Sequence, residues 1–484
     1  MLFNSGTFFC FLLLVLPTYW LLPANLYRKL FLVGASFVFY AWWDWRFLGL
    51  LIFAILSVFF GARCVLFQRR EGNRRRALIY LWCCIGLELA VLGFFKYFNF
   101  FEDNLLIALR NLGFPASPSG LTFRVLLPIG ISFYTFHAIT LAVDTFRGTV
   151  DRKVSLIDVA LYIAFFPQLV AGPIVRATIF LPQLEGKRSL NGDDLFTAIQ
   201  AIATGFLYKV VFSDTIAPFV DNVFHAPAQF SGIYLLAGAL GFYCQIYFDF
   251  NGYSMIAIGV SRLFGYRLPD NFNFPYSASS FTTFWHRWHI SLSTWLRDYL
   301  YIPLGGNRGN RLQRVRNLMM TMLLGGLWHG ASWNFVLWGG LHGAALCAER
   351  MLYPSKPKGE RPMERKAFSW SAKLIAGWLI TQTIVFLLWI PFRANHFSDT
   401  INLLTGIFSW RTLGSLAQQQ TGPIPWLLLL LPITCDTFIV RSLREWKEKP
   451  ALDPRLAFSI LVIAALSVAL IAKTGLRTFI YFQF

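Results

Sequence analysis

Among the seven histidines, one lies where a soluble protein would rarely put it. His329 sits in Leu323-Leu324-Gly325-Gly326-Leu327-Trp328-His329-Gly330-Ala331, inside the apolar stretch 317–349. Arg308, Arg311, Arg314 and Arg316 precede that stretch; Lys356, Lys358, Arg361, Arg365, Lys366 and Lys373 follow it. Clustered Lys and Arg mark cytoplasmic loops. The stretch is therefore expected to enter and leave the membrane from one side, as a hairpin of two short half-spans broken at Gly325-Gly326 and Gly339-Gly340. From Asn317 to His329 is about 18 Å of helix at ~1.5 Å per residue, more than halfway into a ~30 Å hydrocarbon core. An ionisable group at that depth is a functional candidate by default. A neutral imidazole can take the proton from a hydroxyl as that hydroxyl attacks an acyl group. The structural alternative is a histidine donating to a backbone carbonyl within a close-packed, glycine-rich site.

Further polar groups interrupt apolar runs. Residues 284–301 place Trp288, Leu292, Trp295 and Tyr299 on one helical stripe and Arg287, Ser291, Thr294 and Asp298 on another face. That pattern predicts an amphipathic helix at the interface or lining a polar cavity. His289 within it either helps line a path toward His329 or belongs to an interfacial anchor. Asp249 breaks into Tyr247-Phe248-Asp249-Phe250-Asn251-Gly252-Tyr253-Ser254, where it would cap two half-helices or bind a polar group. Pro167, Gln168, Gly172, Pro173 and Arg176 form a similar interruption, and Arg176 could meet a phosphate or a buried acid. His137 reads as a satisfied helix-interface histidine and His342 as a second, weaker candidate, while His225 and His396 fall at segment ends.

The elements that must position these groups follow from composition. Of 484 residues, 56% are hydrophobic and 14% charged, and mean hydropathy is +0.53. Soluble domains average roughly 25% charged, and no single soluble core could hide this much apolar surface. Disorder, collagen, coiled coil and a disulfide scaffold are excluded by the same figures. Apolar runs near spanning length cover roughly 7–23, 30–44, 47–67, 77–95, 124–144, 233–248, 376–391, 424–440 and 456–473, with interrupted runs at 156–175 and 196–212. The net charge of +19 reads as positive-inside loops facing anionic lipid, not as nucleic-acid binding. Arg69, Arg70, Arg74, Arg75 and Arg76 fix one loop inside. Alternation then puts the N-terminus, 102–121, 393–423 and the C-terminus outside, and 146–153, 351–373 and 441–449 inside. The first run lacks a basic leader and a small-residue cleavage site and is expected to remain as a span. The seven cysteines lack metal or disulfide spacing and read as small core hydrophobes. No Walker A loop, GxGxxG, GxSxG elbow, HExxH or EF-hand loop occurs, which removes support for a phosphate-driven pump, a serine hydrolase and a metalloprotease.

Five blocks in order are similar to the membrane-bound O-acyltransferase (MBOAT) family, in its bacterial polysaccharide O-acetylation branch. They are residues 165–176, 247–254, 284–293 (Phe-Trp-His-Arg-Trp-His-Ile-Ser-Leu-Ser), 299–308 (Tyr-Leu-Tyr-Ile-Pro-Leu-Gly-Gly-Asn-Arg) and 323–331. The likeness runs from Met1 to about Arg350. It implies an all-α polytopic membrane protein of about 11–13 membrane segments, including re-entrant or broken helices, around a central tunnel. The chain would form a single domain over 1–484, with a catalytic core at 124–349 and further membrane helices at 350–484. By motif match His329 is the catalytic histidine and His289 the second family histidine. Trp328, Asp249, Asn251, Trp285, Arg287, Arg176 and Gln168, in the same blocks, are candidate tunnel or substrate residues. His286 departs from the family, which carries Arg there, so a cation at that position becomes pH-dependent.

The resemblance implies an acetyltransferase of the bacterial inner membrane with no bound cofactor. Acetyl-CoA would be the cytosolic donor and a polysaccharide (alginate, peptidoglycan or cellulose) the acceptor, reached through a separate periplasmic acetyltransferase or carrier subunit. Arg308, Arg311 and Arg314 could meet the donor's phosphates, although positive-inside loops account for them equally. His329 would serve as general base or as a covalent acyl relay. Two other readings of the same residues are a proton-coupled transporter, against which the missing repeat symmetry weighs, and a non-catalytic scaffold for periplasmic acetyltransferases.

Overall fold

The computed structural model describes residues 1–113, 124–170, 172–353 and 372–410, together with Trp426, Arg477, Phe479 and Ile480. Among these the regular structure is entirely helical, with no strand. Five helices among the described residues are long and apolar enough to cross a membrane: Trp45–Arg70, Arg74–Asn111, Gly192–His225, Gly232–Leu263 and Ala372–Arg393. Shorter helices Gly6–Leu21 and Asn25–Ala41 cover the first two apolar runs. The expected runs 424–440 (apart from Trp426) and 456–473 lie outside the described residues, as do the loop at 441–449, most of that at 351–373, residues 114–121 of the loop at 102–121 and residues 411–423 of that at 393–423. In lipid, helices are the natural answer, because each satisfies its own backbone groups. The same solvent corrects the expectation for cysteine. Cys84, Cys244 and Cys347 are buried, but Cys10, Cys64 and Cys83 are exposed on apolar helices, since a lipid-bathed helix gains nothing by turning a small apolar residue inward.

The described chain divides into two compact units. The first comprises Met1–Ile202 and Tyr253–Pro269. In it, Leu48–Arg70 packs against Arg74–Asn111 and Ile131–Arg147. A Cβ on Gly61 would lie 2.9 Å from Cys84 Sγ, so that glycine sets how closely the first two approach. Buried Arg28 donates to the carbonyls of Trp20, Leu22 and Arg188. His137 is buried, and its Nε2 accepts from the Val175 backbone N–H at 3.2 Å, the interface role its sequence context suggests. The Pro167–Arg176 interruption is real: helix Leu156–Ala164 stops at Phe165, a single turn Phe166–Leu169 follows, and Arg176 is extended.

The second unit comprises Ala203–Gly252 and the described part of Asp270–Tyr481. Its centre is a hairpin of helices Arg311–His329 and Trp333–Leu352. Asn310 and Gln313 close a reciprocal cap at the start of the first helix, and Ser332 Oγ accepts from Asn334 N at the start of the second. The glycine pairs expected to break these helices lie inside them instead. A Cβ on Gly326 would sit 3.1 Å from Gly339 Cα, and one on Gly339 would sit 3.1 Å from Gly326 Cα. Paired glycines let two backbones touch, and packing of that kind holds helices together where no hydrophobic drive exists between them.

Candidate active site

His329 is the last residue of its helix, before Gly330 turns extended. It is buried among aromatic rings, with centroids 4.9 Å from Trp328, 5.0 Å from Trp338 and 5.2 Å from Phe392. Trp338 carries the contact on to buried His342, at 4.8 Å, which also meets Trp285 at 5.1 Å. His329, Trp285 and Trp338 line one cavity of about 330 Å³, whose other walls include Leu292, Leu296, Leu318, Met322 and Leu346. His286, Arg297, Tyr301, Asn307 and Arg350 line it as well. The indole Nε1 atoms of Trp285 and Trp338 are buried and hydrogen-bond to no group among the described residues.

The amphipathic helix expected over 284–301 does not run through. Helix Phe281–Arg287 ends, Trp288 is extended, His289 takes a left-handed conformation at φ 42°, and Ile290–Leu296 begins anew. The cause is Asn271, whose importance the sequence does not announce. Its carbonyl oxygen accepts from Ile290 N at 2.8 Å, and its side-chain Oδ1 accepts from Ser291 N and Ser291 Oγ at 3.3 and 2.7 Å. The same Oδ1 lies 3.1 Å from His289 Nδ1. A turn-forming Pro269-Asp270-Asn271 run is the only signal that could have drawn attention to it. His289 is fully buried, edge-on to Phe250 at 4.6 Å, and its ring lies 6.1 Å from Trp328. His289 and His329 thus flank one tryptophan.

Other candidates fall elsewhere. Asp249 does not interrupt its helix: Gly232–Leu263 is continuous through it. Buried Lys209 lies 2.6 Å from Asp249 Oδ1 and 2.8 Å from Asp214 Oδ1, and Ile480 N donates to Asp249 Oδ2 at 2.6 Å. Lys209 belongs to a widened turn, Leu207–Ser213, and Gly252 makes room for it, since a Cβ there would be 2.9 Å from Lys209 N. A charge met by an opposite charge at that distance needs no capping break to remain buried. Asn251 donates to Tyr247 Oη, and Arg287 to Ser277 Oγ at 2.7 Å. Gln168 and Arg176 belong to the first unit; buried Gln168 donates to Tyr162 O. Arg308, Arg311 and Arg314 are exposed and absent from the cavity wall. His286 is on that wall, outside the five spanning helices. Burial first, then the charges of Arg297 and Arg350, lower its pKa below the ordinary 6.5, so it is neutral at neutral pH.

The MBOAT, membrane-bound O-acyltransferase family model matches residues 37–390. The chain belongs to the membrane-bound O-acyltransferase family. It is 40% identical over 459 residues to the Azotobacter vinelandii protein named "Probable alginate O-acetylase AlgI", covering 93% of this chain and 86% of that one. The Helicobacter pylori "Peptidoglycan O-acetyltransferase" is 36% identical over 440 residues, covering 84% and 80%. A more distant relative, the Bacillus subtilis "Teichoic acid D-alanyltransferase", is 31% identical over 226 residues, covering 44% and 56%. This family member is therefore a multi-pass membrane acyltransferase, and acyl transfer is the chemistry against which the His329 cavity is to be judged.

Proposed function

We propose that this chain O-acetylates an exported or cell-wall polysaccharide from the bacterial inner membrane, taking acetyl groups from cytosolic acetyl-CoA, with His329 as general base or acyl relay. Relatives named for alginate and for peptidoglycan support the acceptor class, with an alginate-type polymer first and cellulose a further candidate. One observation carries the site: a buried imidazole lines a single narrow cavity with two indole N–H groups that meet no hydrogen-bond partner among the described residues. In the direct route an unprotonated ring nitrogen of His329 removes the proton from the incoming hydroxyl. The oxygen attacks the thioester carbonyl, the carbon–sulfur bond breaks, and the proton passes to the departing thiolate. Such a base contributes about 10²–10⁴-fold. The N–H groups of Trp285 and Trp338 are available to the carbonyl oxygen as its charge grows. In the relay route the ring nitrogen itself is acetylated and then gives the group up to the hydroxyl. A periplasmic acetyltransferase or carrier subunit would receive the acetyl group on the outer face.

The test is transfer from labelled acetyl-CoA by purified protein in liposomes, with the periplasmic partner added or omitted, in wild type and His329→Ala. Loss of transfer in a folded variant supports the assignment. Undiminished transfer would move it to His289.

A further inference from the structure

The cavity has a cation at its far end from His329 whose partners among the described residues are all neutral. Arg350 Nη1 donates to Tyr301 Oη at 3.0 Å and to Asn307 Oδ1 at 3.4 Å, and the guanidinium lies over the Tyr301 ring at 5.7 Å. The nearby carboxylates are committed elsewhere. Asp298 pairs with Arg297 at 2.7 Å, and Glu349 accepts the backbone N–H groups of Phe281 and Thr282 at the start of helix Phe281–Arg287. Among the described residues only Nη1 of Arg350 is engaged, which leaves Nε and Nη2 in the fork geometry that suits phosphate, and the residue is exposed.

The spacing selects a ligand. Trp338, whose ring packs on His329, and Arg350 lie on one helix. Twelve residues separate them, about 18 Å at ~1.5 Å per residue. The cavity wall supplies apolar side chains, Leu292, Leu296, Leu318, Met322 and Leu346, for the arm's methylenes, together with the hydroxyls of Ser293, Thr294 and Thr321 for its amides. A pantetheine arm has roughly thirteen bonds from sulfur to its phosphorus. That is about 15 Å when extended, at ~3.5 Å per three backbone bonds. With the thioester at His329, the first phosphate arrives within reach of the Arg350 side chain. Arg311, at the opposite end of the His329 helix, is about 27 Å away by the same rise, beyond the arm.

We infer that Arg350 is a specificity-determining residue for the donor, holding the phosphate of a phosphorylated pantetheine arm so that its thioester stands at His329. The inference rests on the acyl-donor reading above and deepens it. Arg297, already paired with Asp298, is its secondary partner. Tyr301 and Asn307 fix the guanidinium's direction.

The test is competition against labelled CoA on the full chain in detergent, using CoA, 4′-phosphopantetheine and pantetheine as competitors, with wild type, Arg350→Gln and Arg350→Lys. Arg350→Gln is expected to weaken CoA and 4′-phosphopantetheine by about ten-fold or more, the ordinary worth of a charged hydrogen bond. Pantetheine should be unaffected in that variant, which also shows that its cavity is folded. Arg350→Lys should recover part of the loss. Equal weakening of all three ligands would make Arg350 structural and overturn the inference. So would unchanged 4′-phosphopantetheine binding in Arg350→Gln, or a wild type indifferent to the phosphate. An Arg350-dependent phosphate preference in a protein that transfers no acetyl would leave the inference standing and remove the acetyl-transfer reading alone.

Discussion

Asp249 and His329 are both ionisable groups set in apolar helices, and the structure treats them in opposite ways. Asp249 lies within a continuous helix and meets an ammonium and a backbone N–H. His329 ends a helix, faces aromatic rings and opens on a cavity. The first is spent on holding segments together; the second stands beside open space. Intramembrane position alone does not distinguish structure from chemistry. Partners do.

The largest effect that would break this contrast is at His329. His329→Ala should lower acetyl transfer by about 10²–10⁴-fold, with thermal unfolding in detergent close to wild type. A melting loss comparable to that of the Lys209 cluster would put both residues in the structural class.

The ionic cluster should respond in stability, and asymmetrically. Lys209→Met leaves two buried carboxylates without their cation and is expected to cost about 3–5 kcal/mol. Asp249→Asn leaves Lys209 paired with Asp214 and should cost clearly less. Melting curves of the two variants check the order, and equal losses would show that the cluster does not act as a charge-balanced unit.

On the catalytic side, Trp338→Phe keeps an aromatic wall but removes an N–H. If that group meets the carbonyl oxygen, kcat should fall by at least ~10-fold, toward the ~10²–10³-fold typical of losing an oxyanion donor, with little change in KM. A rise in KM alone would make Trp338 a wall and nothing more.

The smallest effect concerns the hairpin that places His329. Gly326→Ala puts a methyl against the Gly339 backbone and should cost about 1–3 kcal/mol by overpacking. Gly325→Ala meets only Leu296 Cδ1, at 3.2 Å, a side-chain end able to shift, and should be near neutral. Both are read from melting temperatures.

The sequence marks where these groups lie but not how they are answered. His329 is legible because depth, flanking arginines and glycines converge on it. The glycine pairs are visible as glycines, yet whether a glycine breaks a helix or admits a neighbour depends on a second helix that the local sequence does not contain. Asp249 looks like a break for the same reason, since its answering lysine lies forty residues earlier. The stripe over 284–301 obeys helical periodicity, but Asn271, eighteen residues before His289, takes over the hydrogen bonds at Ile290 and Ser291 and divides it.

By itself, the sequence determined the solvent and the helical class, and singled out His329 as a candidate. Apolar content and period are local properties, and lipid leaves a spanning backbone few choices but helix. Tertiary structure alone decided that Lys209 neutralises Asp249, that Asn271 turns the chain at His289, and that Arg350 and His329 face one cavity. Each of these is a meeting of residues distant in the chain, and its strength depends on distance and burial that no local pattern encodes.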